Sequence, residues 1–325
     1  MSRRPATIGR LPLVTIGVVT WNSAADLPRC LDAIRAQHHQ PIELLVGDNA
    51  SGDATRTVIE ARTTAAERRY FPANRGFSAA HNALIRESRG AYYLTLNPDV
   101  VLDPGFVAAL VEAMDAAPRA GSATGKLRRA EPAGVLDSTG VVMYRSQRHV
   151  DRGADEPDRG QYDAPGPVFG VSGAAGFYRR TMLDDVAVAG EVFDEDFFAY
   201  REDADLAWRA QLLGWDAIYV PAATATHVRR VTPERRAQLP AAINRYSVRN
   251  RFLLRLKNQT AGQALRFALP GLARDAQVVG YVLAREWGSI PGLIDVARLL
   301  PRMLRKRRVI MRRRDRTRAL DAWFA

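Results

Sequence analysis

The 325-residue chain has a single cysteine, Cys30. That scarcity excludes an internal disulfide and a cysteine-rich zinc site, and it fits a reducing compartment. No stretch reaches the roughly 18 consecutive apolar residues that a simple membrane-spanning helix needs. The start, Met1-Ser2-Arg3-Arg4-Pro5, is basic without a following apolar run, so no secretory signal is expected. Neither G-x-G-x-x-G nor G-x-x-x-x-G-K-[ST] occurs, which counts against a dinucleotide site and a phosphate-cradling loop. A bound nucleotide would have to be held by carboxylate and metal instead. Acidic residues are also scarce at one end. Residues 228–325 carry 6 Asp and Glu against 23 Lys and Arg, whereas residues 1–227 carry 29 against 24. The overall charge of +12 therefore belongs to the C-terminal part, and it points to an acidic partner there, anionic lipid or nucleic acid.

What is present is a run of strand and helix signals in alternation. Leu13–Thr20 and Glu43–Gly47 are β-branched or aliphatic runs that predict buried parallel strands. Leu27, Cys30, Leu31 and Ile34 lie on one helical face, which makes Cys30 a core residue. A helix is predicted over 77–88, followed by a strand that ends at Leu96-Asn97-Pro98-Asp99. This spacing implies βαβ units and a mostly parallel α/β sheet. Beyond residue 120 the expectations are short strands at 135–144 and 168–171 around a loop at 145–167. A helix then follows around Leu206, with two short strands at 217–220 and 222–226. An Arg-rich helix is expected over 234–258, and amphipathic helices over 262–300 broken at Pro270 and Pro291.

With Tyr70-Phe71 counted as the third strand, three polar loops close the first, second and fourth strands: Thr20–Ser23, Asp48–Ser51 and Asn97–Asp99. In a doubly wound sheet the carboxyl ends of the strands converge on one crevice. Asp99 offers oxygen to a hard cation such as Mg²⁺ or Mn²⁺, which bridges to substrate phosphates. Asp48 can accept hydrogen bonds from a base or ribose. Each carboxylate also has a plain alternative as turn or cap chemistry. A second acidic centre, Glu202-Asp203-x-Asp205, follows the aromatic stretch Phe197-Phe198-Ala199-Tyr200. Carboxylates at a helix start favour the helix dipole, while apolar walls raise a carboxyl pKa toward that of a general base. His227 closes a strand, as a structural histidine or a metal ligand.

Six segments in chain order carry a resemblance: Val18–Asn22, Val46–Ser51, Asn74–Phe77, Leu96–Asp99, Gly173–Ala175 and Tyr200-x-Glu202-Asp203-x-Asp205-Leu206-x-x-Arg209. Over roughly residues 12–258 the chain resembles the inverting family 2 glycosyltransferases, in particular their bacterial rhamnosyltransferase-like branch. The resemblance implies a GT-A fold over 12–230, with a nucleotide-sugar half to about 120 and an acceptor half beyond it, and a basic amphipathic helical region over 231–325. It implies transfer of a sugar, preferentially rhamnose, from a dTDP- or UDP-sugar to a hydroxyl of a polyprenyl-linked or glycan acceptor. Thr20, Asn22, Asp48, Asn74, Arg75 and Gly76 match the nucleotide-binding positions. Asp99 matches the last carboxylate of the Asp-x-Asp motif, with Asn97 standing where the first carboxylate would be. His227 resembles the histidine that completes the metal site, Asp203 matches the general base, and Glu202 stands next to it.

The resemblance also implies a cytoplasmic protein whose basic C-terminal region, with apolar residues between its arginines, attaches peripherally to the inner face of the cell membrane. A solvated tail or a homo-oligomer contact are the alternatives. Nucleic acid is set aside because no recognition motif accompanies the charge. Two other functions compete: a sugar-1-phosphate nucleotidyltransferase, which would carry a Gly-rich phosphate loop after the first strand, and a non-catalytic membrane-bound scaffold, for which Asp99 and Asp203 would have no use.

Overall fold

Apolar runs without polar alternation form the centre of the sheet. In the computed structural model, which describes residues 11–229 and 241–325, β1 (Val14–Thr20), β2 (Ile42–Asp48), β3 (Arg68–Tyr70) and β4 (Tyr92–Leu96) run parallel in the order β3-β2-β1-β4. The connecting helices are α1 (Leu27–Arg35), α2 (Thr55–Arg62) and α3 (Gly76–Glu87). Side chains of both faces of β1 are buried, as its unbroken apolar sequence requires. Cys30 lies in the core with Leu27, Leu31 and Ile34.

After β5 (Val100–Leu102), α4 (Phe106–Ala116) buries Phe106, Val107, Leu110, Val111 and Met114. β6 (Ala120–Arg129) extends the sheet through β11 (Phe177–Arg179), which is antiparallel to both β4 and β6. β12 (Asp216–His227) lies parallel to β6 and antiparallel to β5. β7 (Leu136–Ser138) pairs with β6 and β10 (Gly166–Val168) with β12, both antiparallel, while β8 (Val141–Met143) and β9 (His149–Asp151) form a separate two-stranded sheet. α5 (Arg180–Val186) and α6 (Glu202–Leu212) complete this half.

Several expected boundaries differ from the observed ones. The two short strands around Pro221 are one strand, β12, because a register shift against β6 between Tyr219 and Thr224 absorbs the proline. The strand expected over 135–144 is split into β7 and β8 at Gly140, whose φ of +119° turns the chain. The stretch 145–167 is not loop throughout, since it contains β9 and the start of β10. Helix α4 has no counterpart among the expected elements. Pro270 does not break a helix. It sits in the first turn of α9 (Ala268–Arg285), where a missing N–H costs nothing. The interruption falls at Glu286–Ser289, and Pro291 opens α10 (Ile290–Arg313). Of the Arg-rich helix, α7 (Ala241–Asn258) is described and residues 234–240 lie outside the described residues. α8 (Ala261–Arg266) is capped by a reciprocal Thr260–Gln263 box.

The C-terminal helices pack onto the second half of the sheet region. Leu253 and Leu254 of α7, Met303 and Ile310 of α10, and Phe324 share one core with Phe169, Phe197 and Trp208. Ion pairs run through the same contact. Asp205 holds Arg209 at 3.0 Å and Lys257 at 2.7 Å, and Asp194 holds Lys257 and Lys306 at 2.5 Å each. Arg302, Arg313 and Arg318 reach Asp196, Asp185 and Asp216. Part of the basic excess of the C-terminal region is thus matched by carboxylates of the preceding region.

Candidate active site

The parallel register sets Thr20 beside Asp48 and Val18 beside Leu96, so three loops leave the same edge of the sheet. Thr20 Oγ1 donates to Asp48 Oδ1 at 3.1 Å, and Ser51 Oγ donates to the same oxygen at 2.5 Å. Asn22 adopts φ +52° and ties the two loops together. Its Oδ1 accepts from the Gly52 N–H at 2.8 Å, and its own N–H donates to Ser51 Oγ at 2.9 Å. Asn49, which sequence reasoning did not single out, links this layer to the next segment: Nδ2 donates to the Gly76 carbonyl at 3.1 Å and Oδ1 accepts from the Arg75 N–H at 2.9 Å. Asn74 Oδ1 accepts from the Gly76 N–H at 2.9 Å. Gly76 has φ +75°, and a Cβ there would fall on the Phe198 carbonyl. Only glycine brings α3 this close to the segment before α6.

That segment is strained. Phe198, Tyr200 and Arg201 all have φ between +64° and +73°, a conformation costing on the order of 1–3 kcal/mol per residue. The strained turn delivers Glu202 and Asp203 to the start of α6. Asp203 Oδ2 accepts from the Gly173 N–H at 3.1 Å and Oδ1 from the Ala204 N–H at 2.7 Å. Burial raises the Asp203 pKa against the pull of these two N–H groups. Burial, and then the Asp203 charge, hold Glu202 well above the usual carboxylate range. Its buried Oε2 has no hydrogen-bond partner among the described residues. Arg209 and Trp208 on the same helix are buried and serve packing and pairing, Arg209 with Asp205.

The third group assembles through strand pairing. His227, the last residue of β12, lies opposite Val100 in β5, next to Asp99. His227 Nε2 is 3.3 Å from Asp99 Oδ1, and Nδ1 donates to Asp137 Oδ2 at 2.7 Å. Burial works against a charged imidazole, but Asp137 and Asp99 outweigh it and raise the His227 pKa to about 9. Asp137 also binds Arg229 at 2.9 Å, and Arg229 reaches Asp151 at 3.0 Å. Asp137 and Arg229 were not anticipated. A carboxylate inside the short strand Leu136–Ser138 is the one local sign of the former.

Without a metal, His227 is held as an imidazolium between Asp99 and Asp137; once it gives up the Nε2 proton, the donor set at Asp99 and His227 suits a divalent cation. It offers one carboxylate and one imidazole, whose far nitrogen is oriented by a second carboxylate, the arrangement that fixes metal-bound histidines. Among the described residues no three His, Cys, Asp or Glu side chains form a metal-binding group, so further ligands would come from substrate oxygens.

Asn97, Asp99, Glu202, Asp203 and His227 line one cleft of about 1310 Å³. Asp99 and Asp203 therefore face a shared space. Thr20, Asn22, Asp48, Asn74, Arg75 and Gly76 do not line it; they form the hydrogen-bonded loop layer after β1, β2 and β3. The outer wall comes from α7 and α9, through Ser247, Val248, Gln277 and Tyr281 among others.

A mixed, mostly parallel sheet with this cleft at its strand ends defines a GT-A-type nucleotide-sugar fold. Residues 15–186 match the sequence profile of glycosyl transferase family 2, and the chain belongs to that family. It is a family 2 glycosyltransferase. It is 30% identical over 239 residues to an N-acetylglucosaminyl-diphospho-decaprenol L-rhamnosyltransferase of Mycobacterium tuberculosis, covering 67% of this chain and 75% of that one. The fold is also that of a mannosyltransferase from Pyrobaculum calidifontis in complex with GDP-Man and Mn²⁺, at TM-score 0.54 and 18% identity, covering 93% of this chain and 86% of the other. GalNAc-T7 with UDP, GalNAc and Mn²⁺ gives TM-score 0.59 at 12% identity over 76% of this chain, which spans 48% of that structure's chain. No helix among the described residues is long and apolar enough to cross a membrane.

Proposed function

We propose that the protein moves a sugar, rhamnose from dTDP-rhamnose, with inversion onto a hydroxyl of a lipid-linked N-acetylglucosaminyl diphosphate. The observation that carries this is the shared cleft, which sets Asp99 and His227 against Asp203 and Glu202. The likeness to the mycobacterial rhamnosyltransferase supports the choice of donor and acceptor.

The loop layer of Thr20, Asn22, Asp48 and Asn74–Gly76 receives the base and ribose, and Asn97 extends it toward the phosphates. Asp99 and His227 would hold a divalent cation, which would supply charge neutralisation to the leaving diphosphate. Asp203 takes the proton from the acceptor hydroxyl as that oxygen attacks the anomeric carbon from the face opposite the leaving group. Two backbone N–H donors keep Asp203 the more acidic of the neighbouring pair, so it is the one that stays ionised. Glu202 holds a proton on its carboxyl and keeps a second negative charge out of the site.

The experiment is release of nucleoside diphosphate from a panel of dTDP-, UDP- and GDP-sugars with a lipid-linked acceptor, with and without Mn²⁺ or Mg²⁺. Asp203→Asn is expected to lower transfer by about 10²–10⁴-fold while nucleotide binding survives, and Glu202→Gln to retain most of it. The reverse order of losses would make Glu202 the base, and turnover with no donor in the panel would overturn the function.

The same reading includes attachment to an anionic membrane at the cytoplasmic face. The outer side of α9 supports it: Leu269, Leu272 and Leu283 are 80%, 65% and 55% exposed, with Leu265 and Trp287 flanking them. An apolar helix face beside arginines such as Arg266 and Arg285 fits an in-plane interfacial helix.

A further inference from the structure

The cleft is lined by carboxylates, among them Asp99, Asp151, Glu202 and Asp203, and by arginines. Four of these, Arg148, Arg201, Arg251 and Arg274, come from the β8–β9 turn, the start of α6, α7 and α9. Arg251 has a carboxylate, Asp275 at 3.2 Å, which it shares with Arg255. Arg201 donates to His149 Nδ1 at 3.0 Å. Burial, followed by the charges of Arg201, Arg148 and Arg251, holds His149 well below its ordinary value.

Two of the four arginines form no ion pair with any described residue. Arg148 is exposed in the turn between β8 and β9. Arg274, on α9, has Nη1 3.2 Å from Gln277 Oε1 and a buried Nε with no hydrogen-bond partner. Both also line a side hollow of about 340 Å³, bounded by Tyr144, Ser146, Pro270 and Ala273 and sharing Tyr144, Arg148, Arg274 and Gln277 with the cleft. Helix α9 separates this hollow from the apolar surface. Arg274, Gln277 and Tyr281 line the cleft, while Leu269, Leu272 and Leu283, offset by about half a turn, are exposed.

We propose that the hollow between the β8–β9 turn and α9 is a subsite for the diphosphate of the lipid-linked acceptor, gripped by Arg148 and Arg274. This rests on the transferase reading above. Guanidinium groups match phosphate oxygens in a bidentate fork, and two of them without carboxylate partners would be costly neighbours unless an anion joins them. The placement also explains the geometry of α9: a prenyl chain continuing from the diphosphate meets the apolar face within the width of one helix. The acceptor sugar is then directed inward, toward Asp203.

The test compares two soluble acceptors: a short-chain prenyl diphosphate carrying N-acetylglucosamine, and an alkyl N-acetylglucosaminide without phosphate. Arg148→Ala and Arg274→Ala are each expected to raise KM for the diphosphate acceptor by about tenfold or more, with kcat and the donor KM held, and to lose this discrimination on the uncharged acceptor. Arg148 is exposed, so its variant keeps the folded state and unfolds at the wild-type temperature. A raised donor KM would assign the arginines to the donor diphosphate and overturn the proposal. So would weakened binding to phosphatidylglycerol vesicles with an unchanged KM for the short-chain acceptor, since that identifies a lipid headgroup. Wild-type enzyme that turns over neither acceptor overturns the transferase reading itself, whereas wild-type turnover with indifferent variants overturns the subsite alone.

Discussion

Where α4 packs on the sheet, the interior is hydrocarbon: Val18, Leu94, Leu96, Phe106 and Leu110 are all fully buried there. Where α7 and α10 pack on α6, the interior also contains Asp205, Arg209, Lys257 and Asp194, each no more than 3% exposed in its side chain. The first region gains its stability from area removed from water, and any apolar residue of the right volume serves. The second gains little net energy from its ion pairs, because desolvation offsets attraction. Those pairs instead restrict how the helices can sit: Lys257 must meet both Asp194 at 2.5 Å and Asp205 at 2.7 Å. Hydrophobic packing fixes that the halves adhere, and charge fixes the one orientation in which α9 walls the cleft.

That contrast can be broken at single residues. Lys257→Met takes one cation from each of two buried carboxylates, leaving Asp194 with Lys306 and Asp205 with Arg209, and is expected to cost about 3 kcal/mol in chemical denaturation. A loss under about 1 kcal/mol would mean the charges relax into solvent. Leu94→Ala, at the centre of the sheet, should cost about 2–5 kcal/mol through its cavity. Hydrogen exchange sharpens the comparison, since the lysine variant should open α7 and α10 ahead of β1 and β4. Equal opening of both regions would merge them into one cooperative unit.

Acid should act on the helical region first. Burial raises the Asp194 carboxyl, but Lys257 and Lys306 outweigh it and hold its pKa below the ordinary 3.8. The stability it contributes is present above that value and is lost as pH falls through the lower folded one. Lys306 is shifted upward from 10.5 by Asp194 and Asp196 despite burial, so its contribution persists below that pH and declines as pH rises beyond it. Near-ultraviolet circular dichroism from the shared aromatic core, with Trp208 and Phe324, should report the acid loosening while β-sheet signal remains. The smallest effect belongs to Leu272→Ser on the exposed face of α9, within about 0.5 kcal/mol on stability yet weakening vesicle sedimentation. Unchanged sedimentation would remove membrane attachment through this face.

Much of the candidate site's geometry was legible because strand ends announce themselves. Thr20, Asp48 and Asn97–Asp99 follow apolar runs directly, and a parallel sheet must bring such ends to one edge. Glu202 and Asp203 were legible from an aromatic stretch running into acidic helix-start residues. Asn49, Asp137 and Arg229 were not, since a buried carboxylate or amide has no periodicity of its own. Arg148 and Arg274 were hidden differently: they lie among 47 basic residues of ordinary aspect, and what distinguishes them is the partners they lack. Two of the boundary errors share a cause, a proline read as a break. Pro221, Pro270 and Pro301 all lie within regular elements, tolerated through a register shift or a first-turn position in the first two cases.

By itself the sequence determined the alternation of strand and helix, the parallel centre of the sheet and the acidic residues at its carboxyl edge. Those features depend on periodicity and on stop signals a few residues long, which the chain carries locally. Only tertiary structure decided that His227 stands against Asp99, that Asp137, 90 positions away from that histidine, orients it, and which C-terminal arginines are paired. Such meetings are fixed by the register of distant strands and by helix docking, and no local pattern encodes the partner of a charge.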